Sequence, residues 1–259
     1  MDPLDFSGRG VVVTGGTRGI GAAIASAFRA AGAQVVVCGR NPPASSPASP
    51  GGGSGRFDPV DFFRADVRDP VQAAALVAAA KDRLGRVDVL VNNAGGAPPV
   101  PAASASPRLH AKIIELNLIA PLHVAQAANA VMRTQPGGGV ILMVGSVSGT
   151  RPSPGTAAYG AAKAGLHHLA TSLAVEWAPA VRVNSVVPGP VAGFLDPEAV
   201  ARTVPMGRAA TREEVAGVCL LLASPLASYV TGAAVAVHGG GEWPGYLADL
   251  RDAAYPAQK

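Results

Sequence analysis

Two spacings of apolar residues alternate along the chain. Short, mostly apolar runs rich in β-branched residues occur at Gly10–Thr14, Gln34–Cys38, Val60–Arg64, Val87–Asn92, Val140–Gly145, Arg182–Val187 and Ala234–His238. Their near-continuous apolar character predicts strands covered on both faces. Between them lie longer Ala-rich stretches with helical spacing, at Gly19–Ala31, Pro70–Leu84, Ser106–Thr134, Ala157–Ala178 and Arg212–Ala223. Thr211 and Glu214 fit a capping box at the start of the last of these. A short additional helix is signalled by Asp196-Pro197-Glu198, with the aspartate as N-cap and the proline at the first helical position. Strand and helix in alternation predict an α/β fold: one doubly wound parallel sheet of about seven strands with helices on both faces. No internal repeat and no interior linker interrupts the pattern, so residues 1–259 are expected to form a single domain.

Three stretches qualify this picture. Pro42–Gly55 consists only of Pro, Ala, Ser and Gly, with four prolines and four glycines. That composition disfavours a helix and predicts an irregular crossover over 41–57. Val215–Val237 carries no charged residue and is long enough to cross a bilayer. Ser224-Pro225, Ser228, Thr231 and Gly232 divide it into a buried helix, a turn and a buried strand. The tail 242–259 contains Trp243, Tyr246, Leu247, Leu250 and Tyr255, and is expected to dock on a neighbouring subunit or over a substrate cleft.

Composition narrows the function classes. With 49% hydrophobic and 15% charged residues, the chain can bury a core and is not a disordered segment. Cys38 and Cys219 are too few for a disulfide framework or a four-cysteine zinc site, and both sit in apolar strings as core residues do. No metal is expected: His167 and His168 are adjacent and point to different helix faces, and His238 has no second ligand at useful spacing. The net charge of +4 is scattered singly, which points to a mildly basic surface with no nucleic-acid or membrane partner. The acidic N-terminus Met1–Asp5 lacks the apolar segment of a secretory signal, so a cytoplasmic location is expected.

Three motifs carry chemistry. The first strand runs directly into Thr14-Gly15-Gly16-Thr17-Arg18-Gly19-Ile20-Gly21 and then a helix. Glycines there allow a tight turn and close approach to a pyrophosphate, and the helix N-terminus offers N–H groups to it. The second strand ends in Val37-Cys38-Gly39-Arg40, without the carboxylate that would hold an unphosphorylated adenosine ribose. Arg40 and Arg18 can instead grip a 2′-phosphate, which predicts NADP(H) over NAD(H). Tyr159 and Lys163 share a helix face four residues apart, where an ammonium would lower the phenol pKa. Ser146 ends a strand, where the crevice of an α/β sheet lies.

Together these residues resemble the short-chain dehydrogenase/reductase family, in the group of about 250 residues that includes the β-ketoacyl carrier-protein reductases. The resemblance spans Phe6 to Gly241 and rests on Thr14–Gly21, Asp66-Val67, Asn92-Asn93-Ala94-Gly95, Asn117, Ser146, Tyr159, Lys163 and Pro188-Gly189. It implies a Rossmann-like fold and the following roles. Tyr159 is the proton donor or base, Lys163 lowers its pKa and holds the nicotinamide ribose, and Ser146 polarises the substrate carbonyl. Asn117 holds a water linking Lys163 to solvent. Gly15, Thr17, Arg18, Gly19, Ile20 and Gly21 cradle the pyrophosphate, with Arg40 beside the adenosine. Asp66 and Val67 flank the adenine; Asn92, Asn93, Ala94 and Gly95 line the cleft; Pro188, Gly189 and Val191 approach the nicotinamide. The family also implies a homo-oligomer, a tetramer or dimer.

The chain departs from the family pattern in three places. Gly193 stands where many relatives carry a threonine that grips the nicotinamide carboxamide. The segment between Pro190 and Pro205 is short for a substrate lid. His238 replaces an aspartate before the final glycines. The expected activity is NADP(H)-dependent hydride transfer between nicotinamide and a carbonyl or secondary alcohol, with a 3-oxoacyl thioester as the most specific substrate. A dehydrogenase of a sterol, sugar or other secondary alcohol is the second reading, and a non-catalytic NADP-sensing or scaffold protein the third.

Overall fold

The computed structural model describes residues 2–43, 61–193 and 195–243. Its seven strands are β1 (Gly10–Thr14), β2 (Gln34–Gly39), β3 (Asp61–Arg64), β4 (Val89–Asn92), β5 (Gly139–Val144), β6 (Val181–Pro188) and β7 (Ala234–Val237). They form one parallel sheet in the order β3-β2-β1-β4-β5-β6-β7. The order reverses between β1 and β4, and that switch point is where a doubly wound sheet opens a crevice beyond its strand ends.

Strand periodicity assigns the two cores. Val12, Val36, Leu90, Ile141 and Met143 face one side, and Val11, Val13, Val35, Val37, Val89, Val91, Leu142 and Val144 the other. The first face is covered by α2 (Pro70–Leu84), α4 (Ala120–Met132) and α5 (Ala157–Trp177). The second is covered by α1 (Gly19–Ala30) and α7 (Arg212–Ala223). Both faces of the central strands are thus dry, as their apolar runs require. Asp69 caps α2 by accepting from the Val71 and Gln72 N–H groups, and the Thr211–Glu214 capping box is complete. Asp196 caps the short helix α6 (Pro197–Thr203).

Two expectations are corrected. The single helix over Ser106–Thr134 is α3 (Pro107–Ile114), a π-helical turn Glu115–Ile119, and then α4. Pro121 has no N–H to donate to the Asn117 carbonyl, and the Asn117 side chain donates to the Ile113 carbonyl at 2.9 Å. The ladder therefore widens by one residue there. The second correction is β7, expected to be buried. It pairs only with β6 at the sheet edge, and Ala234 and Ala236 are exposed. The crossover 41–57 and the tail 242–259 fall almost wholly outside the described residues. Among the described residues no helix is long and apolar enough to cross a membrane.

Candidate active site

The candidate residues converge beyond the carboxyl ends of β1, β2, β4, β5 and β6. Gly15 (φ +64°) and Gly19 (φ +59°) hold the β1–α1 turn in left-handed backbone. A Cβ on Gly21 would lie 2.4 Å from both Asn93 Nδ2 and the Gly15 carbonyl oxygen, so α1 can approach the β4 loop only with glycine there. Asn93 braces the turn, its Nδ2 donating to the carbonyls of Thr14 (3.0 Å) and Gly15 (3.2 Å). Thr14 Oγ1 in turn accepts the Asn93 and Ala94 N–H groups, each at 3.0 Å. Thr14 was legible only as part of the glycine motif; its hydroxyl is the clip between β1 and β4.

This loop fits a dinucleotide. The N-cap Arg18 makes no side-chain cap, and no acidic side chain stands in the first turn of α1. The leading N–H groups at Gly19, Ile20 and Gly21 lack intrahelical acceptors and face an anion favourably. No atom lies within 4 Å of a Cβ built on Gly19, which leaves room above the turn. Thr17 lies against the end of β2, 3.2 Å from a Cβ built on Gly39, so Arg40 follows beside the turn. Arg18 and Arg40 are exposed, and neither makes an ion pair among the described residues. Beyond β3, Asp66 is gripped by Arg68 Nε at 2.9 Å, and that bond chiefly holds its carboxyl below the usual range. Val67 next to it is buried. Asn92, expected to line the cleft with its neighbours, turns into the core and donates to the Pro121 carbonyl at 3.0 Å.

The reacting end is built from β5, the π turn and α5. Lys163 is buried, and its Nζ donates to the Val144 carbonyl at 2.8 Å while lying 5.6 Å from the Tyr159 ring centre. Burial pushes its pKa down to about 8. Asn117 Nδ2 donates to the carbonyls of Gly96 (3.0 Å) and Ile113 (2.9 Å), and its Oδ1 accepts the Gly96 N–H at 2.8 Å. The amide thus clamps the loop after β4 instead of reaching toward solvent. A Cβ on Gly95 would lie 2.7 Å from Asn117 Oδ1 and 3.3 Å from Lys163 Nζ, which explains that glycine.

Ser146 follows β5 in extended backbone, and its Oγ accepts the Ser148 N–H at 3.1 Å. The pKa of Tyr159 is raised, first by burial, with a hydrogen bond to Ser146 partly offsetting it. The expectation was a lowered phenol pKa. Burial is the largest influence on the phenol and outweighs the lowering expected from Lys163, whose ammonium is itself desolvated and hydrogen-bonded to the Val144 carbonyl.

Pro188 ends β6, and a Cβ on Gly189 would lie 2.8 Å from His238 Cβ. Val191 bridges to Ala210. Gly193 has φ +93°, a conformation a threonine would adopt only with strain, so the backbone itself accounts for that departure. After Ser146, an open pocket is lined by Val147, Thr150, Arg151, Pro190, His238, Gly241 and Glu242. Arg151 and Glu242 form an ion pair there. The Trp243 N–H donates to the Thr203 carbonyl at 3.0 Å, which ties α6 to the segment after β7.

Comparison with known proteins identifies the family and the fold. The family described as Enoyl-(Acyl carrier protein) reductase matches residues 15–242. A 3alpha-hydroxysteroid dehydrogenase of Mediterraneibacter gnavus is 36% identical over 246 residues, covering 88% of this chain and 94% of that one. An uncharacterized short-chain type dehydrogenase/reductase of Sinorhizobium fredii is 37% identical over 90% of this chain, which spans 43% of that longer protein. The solved structure of a short-chain dehydrogenase/reductase of Brucella melitensis, titled a glucose/ribitol dehydrogenase, superposes with a TM-score of 0.79. It is 31% identical and covers 91% of this chain and 97% of its own. The chain belongs to the short-chain dehydrogenase/reductase family of oxidoreductases.

Proposed function

We propose that the protein is an NADP(H)-dependent oxidoreductase that interconverts a carbonyl and a secondary alcohol, with Ser146, Tyr159, Lys163 and Asn117 as its working residues. The observation that carries this reading is the convergence of Ser146, Tyr159 and Lys163 beside the glycine turn at the sheet's carboxyl edge. The nicotinamide, when bound, supplies or takes the hydride. The chain's own residues manage the oxygen. Ser146 and Tyr159 offer hydroxyls where negative charge builds on the carbonyl oxygen. A raised Tyr159 pKa keeps the phenol protonated at neutral pH, which suits it as the proton donor in carbonyl reduction. The Lys163 ammonium eases the loss of that proton, and Asn117 keeps Gly95 and Gly96 seated against Lys163.

Cofactor choice rests on Arg18 and Arg40, which stand at the adenosine end with no carboxylate at the end of β2. Their guanidiniums bind a 2′-phosphate through charge-assisted hydrogen bonds, each contributing roughly 1.5–3 kcal/mol. A 3-oxoacyl thioester is the most specific substrate in this class; the matching family is described by an enoyl thioester on a carrier protein, which supports the acyl-thioester part of that assignment and not the 3-oxo group. A homo-oligomer in the cytoplasm is the working form. Exposed Val175, Leu221, Leu226 and Tyr229 leave apolar surface for subunit contacts. The test is a panel of ketones and acetoacetyl thioesters assayed with NADPH and with NADH. The expected result is turnover with a kcat/KM about tenfold or more higher for NADPH. A clear preference for NADH would refute the cofactor assignment.

A further inference from the structure

We propose that His167 is a positioning residue for the reacting centre: its imidazole anchors Ser146 through the backbone, and the glycines at 145 and 149 admit it. The inference rests on the role given above to Ser146. Helix α5 carries Tyr159, Lys163 and His167 at four-residue intervals, so the three stand on one face. The imidazole reaches behind Ser146, whose backbone N–H donates to His167 Nε2 at 3.4 Å. A Cβ on Gly145 would lie 2.1 Å from that same Nε2. A Cβ on Gly149 would lie 3.0 Å from His167 Cε1 and 2.6 Å from the Lys163 carbonyl carbon. Neither glycine has a positive φ, so backbone torsion does not require glycine at either place. Space does, and His167 is part of what fills it.

The geometry dictates the state of the ring. To accept an N–H, Nε2 must be unprotonated, so the neutral imidazole carries its proton on Nδ1. Burial and the nearby Lys163 charge both lower the His167 pKa, which keeps the ring neutral. Ser146 is then held at two points: its N–H by His167, and its Oγ by the Ser148 N–H. Without the imidazole, the Ser146 N–H loses its acceptor and the strand end can shift. A displacement of about 1 Å at a reacting group can cost about a hundredfold in rate.

The test crosses His167→Leu and His167→Gln with Ser146→Ala in NADPH-dependent carbonyl reduction, and adds ¹⁵N NMR of the His167 ring in the whole protein. His167→Leu is expected to lower kcat about tenfold or more while the KM for NADPH stays within about twofold. His167→Gln, which keeps an acceptor, should recover most of the loss. In the Ser146→Ala background His167→Leu should cost less than about twofold, because its route of action is gone. The NMR should report the Nδ1–H tautomer. A wild-type kcat in His167→Leu, an equal fold-loss in both backgrounds, or an Nε2–H tautomer would overturn the inference. If His167→Leu does not fold, the Gln variant and the tautomer decide. Full activity in Ser146→Ala would instead overturn the Ser146 role, and this inference with it.

Discussion

At the residue scale, burial decides the chemistry of the site. Tyr159 and Lys163 were legible as a pair four residues apart, but their protonation was not. Spacing cannot say that Lys163 would be fully desolvated or that Val144 would take its hydrogen bond. The consequence is a pH dependence of definite sign. Lys163 has its pKa lowered to about 8, so its charge is present below that value and lost above it. If that charge eases proton release from Tyr159, kcat for carbonyl reduction falls as pH rises through about 8. Lys163→Met should be slower throughout and should lack that break. A pH–rate profile of both proteins checks this. The adjacent asparagines teach a related lesson. Asn92 is the last residue of β4 and turns inward, whereas Asn93 turns to brace the glycine loop. The sequence motif alone treats them alike.

At the scale of elements, period and caps were readable and side-chain intrusions were not. The alternation of Val11, Val12 and Val13 between two cores follows from strand geometry alone. The Thr211–Glu214 box and the Asp196 cap needed only local residues, and both are present. The break of the long helix at Glu115–Ile119 needed more. Pro121 was visible, but the Asn117 amide bonds to Gly96 across the fold, and no local pattern announces that contact. The exposure of β7 likewise depends on its being last in the sheet.

Tight packing of α1 on the β4 loop gives the prediction at this scale. In Gly21→Ala the new Cβ would meet the Gly15 carbonyl, a backbone atom that cannot swing aside. The turn must open, at a cost of about 1–3 kcal/mol in stability. Calorimetric titration should show weaker NADPH binding, and the melting temperature should fall.

At the scale of the whole molecule, the two ends of the sheet do different work. The carboxyl edge gathers the candidate site, and the amino edge closes the fold electrostatically. Asp88 is buried there, accepting from Arg86 Nε at 2.7 Å, Arg9 Nη1 at 2.9 Å and the Gly10 N–H at 2.9 Å. Burial alone would raise its pKa, and it is the largest influence. The hydrogen bonds from Arg86, Gly10 and Arg9 together outweigh it, so the net shift is downward. A depressed carboxylate contributes stability that is present above the ordinary aspartate range and lost as pH falls through the folded value. Asp88→Asn should therefore lower stability by about 1–3 kcal/mol near neutral pH. The gap to wild type should narrow as pH falls below the ordinary aspartate range, as urea midpoints at neutral and acid pH would show.

In the proposed reaction Tyr159 passes a proton to the reacting oxygen while Ser146 holds that oxygen. The most direct measurement is single-turnover carbonyl reduction by Tyr159→Phe with NADPH bound, alongside the NADPH dissociation constant. Loss of a general acid costs roughly a hundredfold to ten-thousandfold in rate. The predicted result is a loss of that order with cofactor affinity essentially unchanged. Full activity in Tyr159→Phe would contradict it.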